Sequence, residues 1–404
     1  MNPSGNEDSH APRRGPEPAR KAAVDVIVVG GGVIGCAIGG RLAQAGLRCA
    51  ILERGEPGRG ASQAAAGMLS PLAEAEREGP FLDLGMRSLQ RYPAFVAEVE
   101  AASGIDVEHR PAGKVQVAFS REEMAVLAHR AQFARTWSSQ VKLLEDDAMR
   151  AHAPFVNPAA HGGLVLSHDH RLHSGKLTGA VRAWALSAGA DIRSRTTVEG
   201  VAVAAGRVQG VQVEGGGHVK APWVVVAAGS WSGNLPGLPS TLPVEPVRGQ
   251  MVALGPGPCH LTQAVESARV YAVPREDGNI VLGSTEERAG FEARTTARGV
   301  ADILEAALEL LPALAHHPVD AAWAGLRPGT PDRIPILGPD PQVQGLLYAT
   351  GHFRNGLLLA PETARIIAAL VTGTDGEDAD GEDNGPGAEA PLEELLEPFR
   401  PDRF

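Results

Sequence analysis

Three glycines, Gly30, Gly32 and Gly35, form a GxGxxG pattern, which is the most informative spacing of chemically useful residues in the chain. A β-branched apolar run (24–29) precedes them, and helical periodicity follows. The next apolar run ends at the acidic Glu53. This context predicts a βαβ unit in which glycine backbone approaches a pyrophosphate at a helix N-terminus. Glu53 is placed to bind the adenosine ribose hydroxyls, so the sequence predicts a dinucleotide site.

A second informative residue is Arg354, in the segment GHFRNGLLLAP (351–361). A strand-like run leads into this segment, and a glycine and three leucines follow the arginine. Burying an arginine without a partner is costly, so Arg354 is expected to face an anion. A clamp on backbone carbonyls is an equal alternative, because the guanidinium carries five donors.

Segments beyond the βαβ unit favour a flavin over a nicotinamide cofactor. The stretch GRGASQAAAGML (58–69) is a long loop of small residues, which lets backbone lie against a flat ligand. A hairpin-like stretch (196–219) then precedes a strand that ends in Ala-Ala-Gly at 227–229. A first βαβ unit, a distant β-meander and this strand together indicate a flavoprotein.

The remaining patterns predict an α/β (mixed α+β) protein with two domains. We expect a Rossmann-like FAD-binding domain at 23–108, 164–243 and 323–372, and a substrate domain built on an antiparallel sheet at 109–163 and 244–322. The substrate domain is predicted to hold strand 115–119, helices 121–135 and 300–311, and a hairpin turn at 276–279. Residues 1–22 and the acidic segment 373–390 are predicted to be disordered, and the tail 391–404 to dock on the body.

Composition limits the function classes. The chain has 404 residues, 43% hydrophobic, and a net charge of −11, which argues against a nucleic-acid surface. Its three cysteines form no CxxC pair, so we expect packing roles and a reducing, cytoplasmic compartment. Arg13 and Arg14 resemble a twin-arginine signal, but they lie too far from the apolar run. No run of about 20 apolar residues exists, so no signal peptide or membrane span is expected.

One histidine cluster needs separate mention. His168, His170 and His173 lie beside Asp169, but their spacing fits no zinc pattern well, so no metal is expected. Ser174 is predicted to cap a helix at 175–188.

With these motifs in view, the chain resembles the flavin-dependent amine oxidases of the D-amino acid oxidase superfamily, and within it the glycine oxidase type. The most specific motifs are AAAGML (64–69), YAVPR (271–275), WAGLRPGTPD (323–332) and GHFRNGLLLAP. The resemblance implies oxidation of glycine or another small amine or D-amino acid to the oxo acid, ammonia and hydrogen peroxide. It further implies a supply of glycine imine for the thiazole of thiamine, molecular oxygen as co-substrate and a homo-oligomer. FAD is expected to be noncovalent, since no cysteine lies near AGLRPGT.

The resemblance also implies roles for individual residues. Arg327 would bind the substrate carboxylate together with the Tyr271 hydroxyl, and Arg354 would lie over the substrate. Met68 would lie near the flavin and the substrate. Arg269 stands where the glycine oxidase type has histidine, so it would add a cation near the mouth of the substrate pocket. A structural ion pair with Asp332 is the alternative for Arg327. The implied cofactor residues are Gly30, Gly32, Val33, Ile34, Gly35, Glu53, Arg54, Ala61, Ser62, Ala66, Gly67, Met68, Val198, Ala228, Gly229, His352, Phe353, Arg354, Asn355, Gly356, Leu357 and Leu358.

Two other functions stay open at this point. One is a dehydrogenase that passes electrons to a quinone or carrier, and the other is a noncatalytic FAD-binding subunit. Intact Arg327 and Tyr271 argue against the noncatalytic subunit.

Overall fold

The computed structural model of the chain describes residues 24–75, 77–374 and 391–404. The segments predicted to be disordered at 1–22 and, for the most part, at 373–390 lie outside these residues. The strands are β1 (Val26–Val29), β2 (Cys49–Leu52), β3 (Met68–Leu69), β4 (Lys114–Ala118), β5 (Val141–Glu145), β6 (Gly162–Leu166), β7 (His170–Arg171), β8 (Asp191–Arg193), β9 (Val198–Ala204), β10 (Arg207–Val213), β11 (Gly217–Lys220), β12 (Trp223–Val226), β13 (Glu245–Leu254), β14 (Ala264–Glu266), β15 (Tyr271–Pro274), β16 (Ile280–Gly283), β17 (Val319–Gly329), β18 (Ile336–Pro339) and β19 (Leu346–Thr350).

Helices connect and cover these strands. They are α1 (Val33–Gln44), α2 (Ala61–Ala64), α3 (Pro71–Glu74), α4 (Pro80–Ser103), α5 (Arg121–Trp137), α6 (Asp146–His152), α7 (Ser174–Ser187), α8 (Ala297–Leu310), α9 (Gly356–Thr372) and α10 (Leu392–Leu396). Short 3₁₀ turns occur at Gly229–Asn234, Pro312–His316, Glu397–Phe399 and Pro401–Arg403.

The predicted βαβ unit forms the centre of a six-stranded sheet with the order β18-β19-β12-β1-β2-β8. Strand β1 is fully buried and pairs in parallel with both β2 and β12, as its unbroken β-branched sequence predicts. Helix α1 begins at Val33, directly after Gly32, and packs against α7 and α9. This arrangement brings the carboxyl ends of β1, β2 and β12 to one edge of the sheet.

The second large sheet is mainly antiparallel and has the order β17-β13-β16-β15-β14-β4-β6-β5. Because side chains alternate along a strand, each strand presents one set to each face. One face packs Val252, Ala272 and Leu282 against Ile303 and Leu310 of α8. The opposite face carries Met251, Tyr271 and Trp323 in a separate cluster.

The strand pairing refines the predicted domain limits. Strand β6 and all of β17 belong to the eight-stranded sheet, although the predicted limits at 164 and 323 would divide both. A local sequence pattern marks the apolar run of a strand but not the sheet that it joins. The hairpin-like stretch at 196–219 is a three-stranded meander of β9, β10 and β11.

Two local predictions were wrong in detail. The small-residue stretch at 58–69 contains the short helix α2 and the strand β3, so it is not one continuous loop. Helix α7 is capped by His173, whose Nδ1 accepts a hydrogen bond from the Lys176 N–H at 3.3 Å, and Ser174 is its first helical residue.

The C-terminal tail packs on the core of the six-stranded sheet. Phe399 is fully buried and joins the core of the six-stranded sheet with Leu396. Arg403 pairs with Asp332 at 2.7 Å and donates to the carbonyl of Ile334 at 3.0 Å. Asp332 therefore binds the tail, and the alternative in which it neutralises Arg327 was wrong.

We expect Phe399→Ala to lower the free energy of unfolding by about 3–5 kcal/mol, because a buried aromatic side chain is replaced by a cavity. Chemical denaturation of FAD-saturated protein measures this change. Phe404→Ala is the matched control, since Phe404 is half exposed, and it should change stability by less than about 0.5 kcal/mol. Equal unfolding midpoints for the two variants would show that the tail contributes little to the fold.

Candidate functional site

A cavity of about 540 Å³ lies between the edge of the six-stranded sheet and the apolar face of the eight-stranded sheet. It gathers nearly all of the predicted site residues, although these come from distant parts of the sequence. The predicted residues that line it are Gly30, Gly32, Val33, Ile34, Glu53, Arg54, Ala61, Ser62, Ala66, Gly67, Met68, Val198, Ala228, Gly229, Tyr271, Arg327, His352, Phe353, Arg354, Asn355, Gly356 and Leu357.

Three predicted residues do not line the cavity. Gly35 contacts the strand–helix turn, and Leu358 is a residue of α9 whose side chain is buried in the core. Arg269 points away, because its guanidinium pairs with Glu309 at 2.5 Å and its side chain is 58% exposed. The expectation that Arg269 adds a cation at the mouth of the pocket was therefore wrong. Arg269 lies two residues before Tyr271 in the sequence, and this position could not reveal that its guanidinium pairs with Glu309.

The end of the cavity at α1 is built for close approach of backbone to a ligand. Gly30 has a φ of +110°, and a Cβ there would lie 2.4 Å from the carbonyl oxygen of Ala227. A Cβ at Gly35 would lie 1.9 Å from the carbonyl oxygen of Gly30. Gly32 caps α1 without a side-chain hydrogen bond. The first turn of α1 therefore offers backbone N–H groups and the positive end of the helix dipole to an anion.

Glu53 is held in a fixed orientation at the end of β2. Its Oε2 accepts a hydrogen bond from the Gly31 N–H at 2.8 Å, and its Oε1 accepts one from the Gly55 N–H at 2.9 Å. Both bonds tie the carboxylate to backbone, so it does not have to be ordered by a ligand. Its remaining lone pairs suit hydroxyl donors at the cavity wall.

An arginine–aromatic stack borders the same end of the cavity. The guanidinium of Arg54 lies 3.6 Å from the ring centroid of Trp231, and Trp231 stacks on Phe291 at 5.3 Å. Trp231 lines the cavity but was not among the predicted site residues. The sequence feature that could have identified Trp231 as a site residue is its position two residues after the Ala-Ala-Gly turn.

The loop at 66–68 is tied to the eight-stranded sheet by Arg275. Its guanidinium donates to the carbonyls of Ala66 at 2.6 Å and Leu172 at 2.8 Å. Burial lowers the pKa of Arg275 to about 10, so it remains charged at neutral pH. This residue closes the YAVPR motif, and it fixes the loop that carries Met68.

Arg327 presents its guanidinium over Gly249 on the cavity face of the sheet. Its Nη1 donates to the carbonyl of Thr285 at 3.1 Å, and its Nη2 donates to Ser284 Oγ at 2.5 Å. Among the described residues it has no carboxylate partner. A guanidinium that is oriented by neutral acceptors and keeps its charge uncompensated is suited to bind a carboxylate ligand.

Tyr271 lies on the same face as the guanidinium of Arg327. A Cβ placed on Gly283 would lie 2.8 Å from the Tyr271 hydroxyl, and Ser284 is the next residue in the chain. The hydroxyl donates to the Met251 sulfur at 3.3 Å, a weak acceptor that a better ligand can replace. The structure therefore brings the predicted pair, Arg327 and Tyr271, to one segment of the sheet.

Arg354 has an anion that the sequence did not reveal. Its Nη2 lies 2.8 Å from Glu74 Oε2, and Glu74 is itself a cavity residue. Although burial opposes its charge, the carboxylates of Glu74 and Glu266 raise the pKa of Arg354. The structure gives Arg354 an anion, as one of the two alternatives predicted, and not the clamp on backbone carbonyls. Glu74 was missed because α3 lies far from Arg354 in sequence.

The remaining candidates lie outside this cavity. Cys36, Cys49 and Cys259 are buried free thiols, as predicted, and burial raises the pKa of Cys36 and Cys49 to about 12. His170 contacts His109 at 3.0 Å between ring nitrogens. In residues 24–75, 77–374 and 391–404, no group of three or more His, Cys, Asp or Glu side chains is arranged to hold a metal.

These features fit a flavin dinucleotide. At the start of α1 only the Val33 N–H is bound, by Ser62 Oγ at 3.0 Å, and the rest of the turn suits a pyrophosphate. Glu53 suits ribose hydroxyls, and the small residues at 61–68 leave room for a flat ring. In the part of the chain that the structure describes, every helix is too short or too polar to span a bilayer.

Comparison with known proteins agrees with this geometry. The family model described as FAD dependent oxidoreductase matches residues 25–370. The chain is 36% identical to the glycine oxidase of Pseudomonas aeruginosa, over 86% of this chain and 94% of that protein. It is also 36% identical to the bifunctional protein ThiO/ThiG of Synechocystis, again over 86% of this chain, but it spans only about half (51%) of that protein.

Solved structures give the same result. The crystal structure of glycine oxidase from Geobacillus kaustophilus matches with a TM-score of 0.85 and 32% sequence identity, over 94% of this chain and 98% of that one. The glycine oxidase from Bacillus cereus matches with a TM-score of 0.80 and 30% identity, over 87% and 98%.

We expect Glu53→Ala to weaken FAD binding by about 10- to 100-fold, because hydrogen bonds to a charged acceptor contribute about 1.5–3 kcal/mol. FAD fluorescence quenching on the apoprotein measures the dissociation constant. Glu98→Ala, which removes a half-buried partner of Arg41 outside the cavity, should leave the dissociation constant unchanged. Equal FAD affinity of both variants would contradict the ribose role of Glu53.

Proposed function

The chain belongs to the FAD dependent oxidoreductase family, and on that premise we propose that it oxidises glycine or another small amino acid in the cavity between its two large sheets. The products would be the oxo acid, ammonia and hydrogen peroxide. The observation that carries this proposal is Arg327, a cation that has no acidic partner among the described residues and lies beside Tyr271 on the cavity face.

The protein's own residues would act mainly by positioning the substrate. Arg327 would hold its carboxylate in a bidentate pair, and the Tyr271 hydroxyl would exchange the Met251 sulfur for a carboxylate oxygen. Met68 and Met251 would exclude water beside the α-carbon. Fixed geometry of this kind contributes strongly to rate without a side-chain base, provided that the amine is neutral when it reacts.

Bound FAD would accept the hydride from the α-carbon and pass the electrons to oxygen. The residues that would hold it are those at the start of α1, Glu53 and the loop at 61–68, together with the start of α9. Three further statements stay predictions. The resemblance implies the supply of glycine imine for thiazole formation and the homo-oligomer, and the cysteine pattern implies the cytoplasmic location.

The experiment is a peroxide assay on FAD-loaded protein in air with glycine, sarcosine and small D-amino acids. Peroxide formation with glycine supports the proposal. Fast anaerobic dye reduction with little peroxide would instead identify a dehydrogenase. Flavin that no amino acid can bleach would identify a noncatalytic subunit.

We expect Arg327→Ala to lose about 2–5 kcal/mol of interaction with the substrate, because its carboxylate is left without a partner. This corresponds to a loss of at least about 30-fold in kcat/KM. Steady-state peroxide kinetics measure the loss, and the variant should still purify yellow. A colourless variant would show that Arg327 supports the cofactor site instead.

Arg269→Ala is a contrasting variant, because the structure places Arg269 outside the cavity in a pair with Glu309. Its KM for glycine should stay within about twofold of the wild-type value, since exposed ion pairs contribute little. A larger rise in KM would show that Arg269 turns toward the substrate after all.

A further inference from the structure

Glu266 is a carboxylate of the cavity wall to which the sequence assigned no role. It lies on β14 directly opposite Tyr271 of β15 in the antiparallel register. Residues that are opposite in such a pair project their side chains from the same face. Both residues line the cavity, so the carboxylate and the hydroxyl face the same ligand space.

The two oxygens of Glu266 have different surroundings. Oε2 lies 2.5 Å from Lys114 Nζ and accepts a hydrogen bond from Gln116 Nε2 at 3.0 Å. Within the part of the chain that the structure describes, no group donates a hydrogen bond to Oε1. The side chain is 22% exposed, and its exposure is toward the cavity. Oε1 is therefore available to a donor on a bound ligand.

Lys114 keeps this carboxylate ionised. Its side chain is only 1% exposed, and although burial opposes its charge, the neighbouring carboxylates of Glu266 and Asp169 raise the pKa of Lys114, so it stays protonated. Although burial opposes ionisation of Glu266, the charge of Lys114 and the hydrogen bonds from Lys114 and Gln116 lower the pKa of Glu266. A carboxylate in this state is a strong hydrogen-bond acceptor and a weak base.

The charges around the substrate end of the cavity are otherwise paired. Arg354 is neutralised by Glu74, and Lys114 is neutralised by Glu266. In the described residues, Arg327 has no such partner. The guanidinium of Arg327 can therefore bind one substrate carboxylate without displacing an acidic side chain. A second carboxylate on the ligand would find the cations Arg354 and Lys114 already paired with Glu74 and Glu266, so it would have to displace one of these acids to gain a partner.

We propose that Glu266 Oε1 receives the amino group of the substrate whose carboxylate Arg327 holds, and that Glu266 thereby selects monocarboxylic amino acids over dicarboxylic amines. The inference rests on the proposed function, since it names the substrate class of the same site. Glu266 acts in it as a binding and specificity residue, with the N–H group of the substrate donating and Oε1 accepting.

The test compares Glu266→Gln with the wild-type holoenzyme, using glycine, iminodiacetate and acetate. Glutamine keeps the shape and an acceptor oxygen but removes the charge. We expect KM for glycine to rise about tenfold or more, with kcat within about threefold. The ratio of kcat/KM for glycine to that for iminodiacetate should fall at least about tenfold. The dissociation constant for acetate, which lacks an amine, should stay within about twofold by flavin absorbance titration.

Two further variants keep the result interpretable. Glu309→Gln, which removes an exposed carboxylate outside the cavity, should leave all of these values unchanged. Lys114→Met/Glu266→Gln removes both buried charges, so it replaces the single variant if the unpaired lysine prevents folding. An unchanged KM for glycine and an unchanged ratio in whichever variant folds would overturn the role of Glu266. A parallel loss of glycine and acetate binding would also overturn it, because that pattern indicates general damage to the pocket.

The outcome is separable from the proposed function. If the wild-type holoenzyme oxidises glycine and Glu266→Gln has the same KM for glycine and the same ratio of kcat/KM values, only the role of Glu266 fails. If the wild-type holoenzyme oxidises no amine, the proposed function fails. In that case glycine does not reduce the flavin, so its dissociation constant can be measured by the same absorbance titration as that of acetate. The ratio of the two dissociation constants in the wild type and in Glu266→Gln then decides whether Glu266 binds an amino group.

Discussion

The site depends on how closely α1 can approach the carboxyl ends of β1 and β12. A side chain at Gly35 would collide with the carbonyl of Gly30, and one at Gly30 would collide with the carbonyl of Ala227. Their absence lets the first turn of α1 open directly onto the edge of the sheet. The N–H groups of Val33, Ile34 and Gly35 have no intrahelical acceptor, and that of Val33 donates to Ser62 Oγ at 3.0 Å, so Ile34 and Gly35 leave the turn suited to an anion. Glu53, which is itself tied to the N–H groups of Gly31 and Gly55, would then bind the ribose of a dinucleotide at the end of β2.

The opposite wall follows from strand alternation. Strands β13, β14 and β15 present one set of residues to the core that includes α8 and the other to the cavity, so a single register determines which side chains meet the ligand. Met251, Tyr271 and Glu266 share the cavity face for this reason. Arg275 then ties the small-residue loop to the same sheet through two carbonyls. The two walls are therefore held at a fixed separation by backbone contacts as well as by side-chain packing.

Sequence reasoning predicted the parts whose signals are local. The βαβ unit, the meander and the turn at 276–279 each lie within a short stretch, and each pattern reflects the burial of its own residues. Ion-pair partners were not predictable in this way. Arg354 meets Glu74, Arg269 meets Glu309, and Asp332 meets the tail, and each pair forms only when distant elements are packed together. Glu266 gave no signal, because a single acid on a three-residue strand is typical of an exposed edge.

The ion pairs also limit what the cavity can bind. A ligand that recruits Arg354 for a second carboxylate must displace Glu74, whose side chain is only 14% exposed. Breaking a largely buried pair leaves a charge without compensation and costs about 3–5 kcal/mol, although the partial exposure of Arg354 reduces that value. Arg327 imposes no such penalty, since its acceptors in the structure are neutral. The difference between the two arginines therefore supports the proposal that Arg327 binds the substrate carboxylate and that Arg354 forms part of the wall beside it.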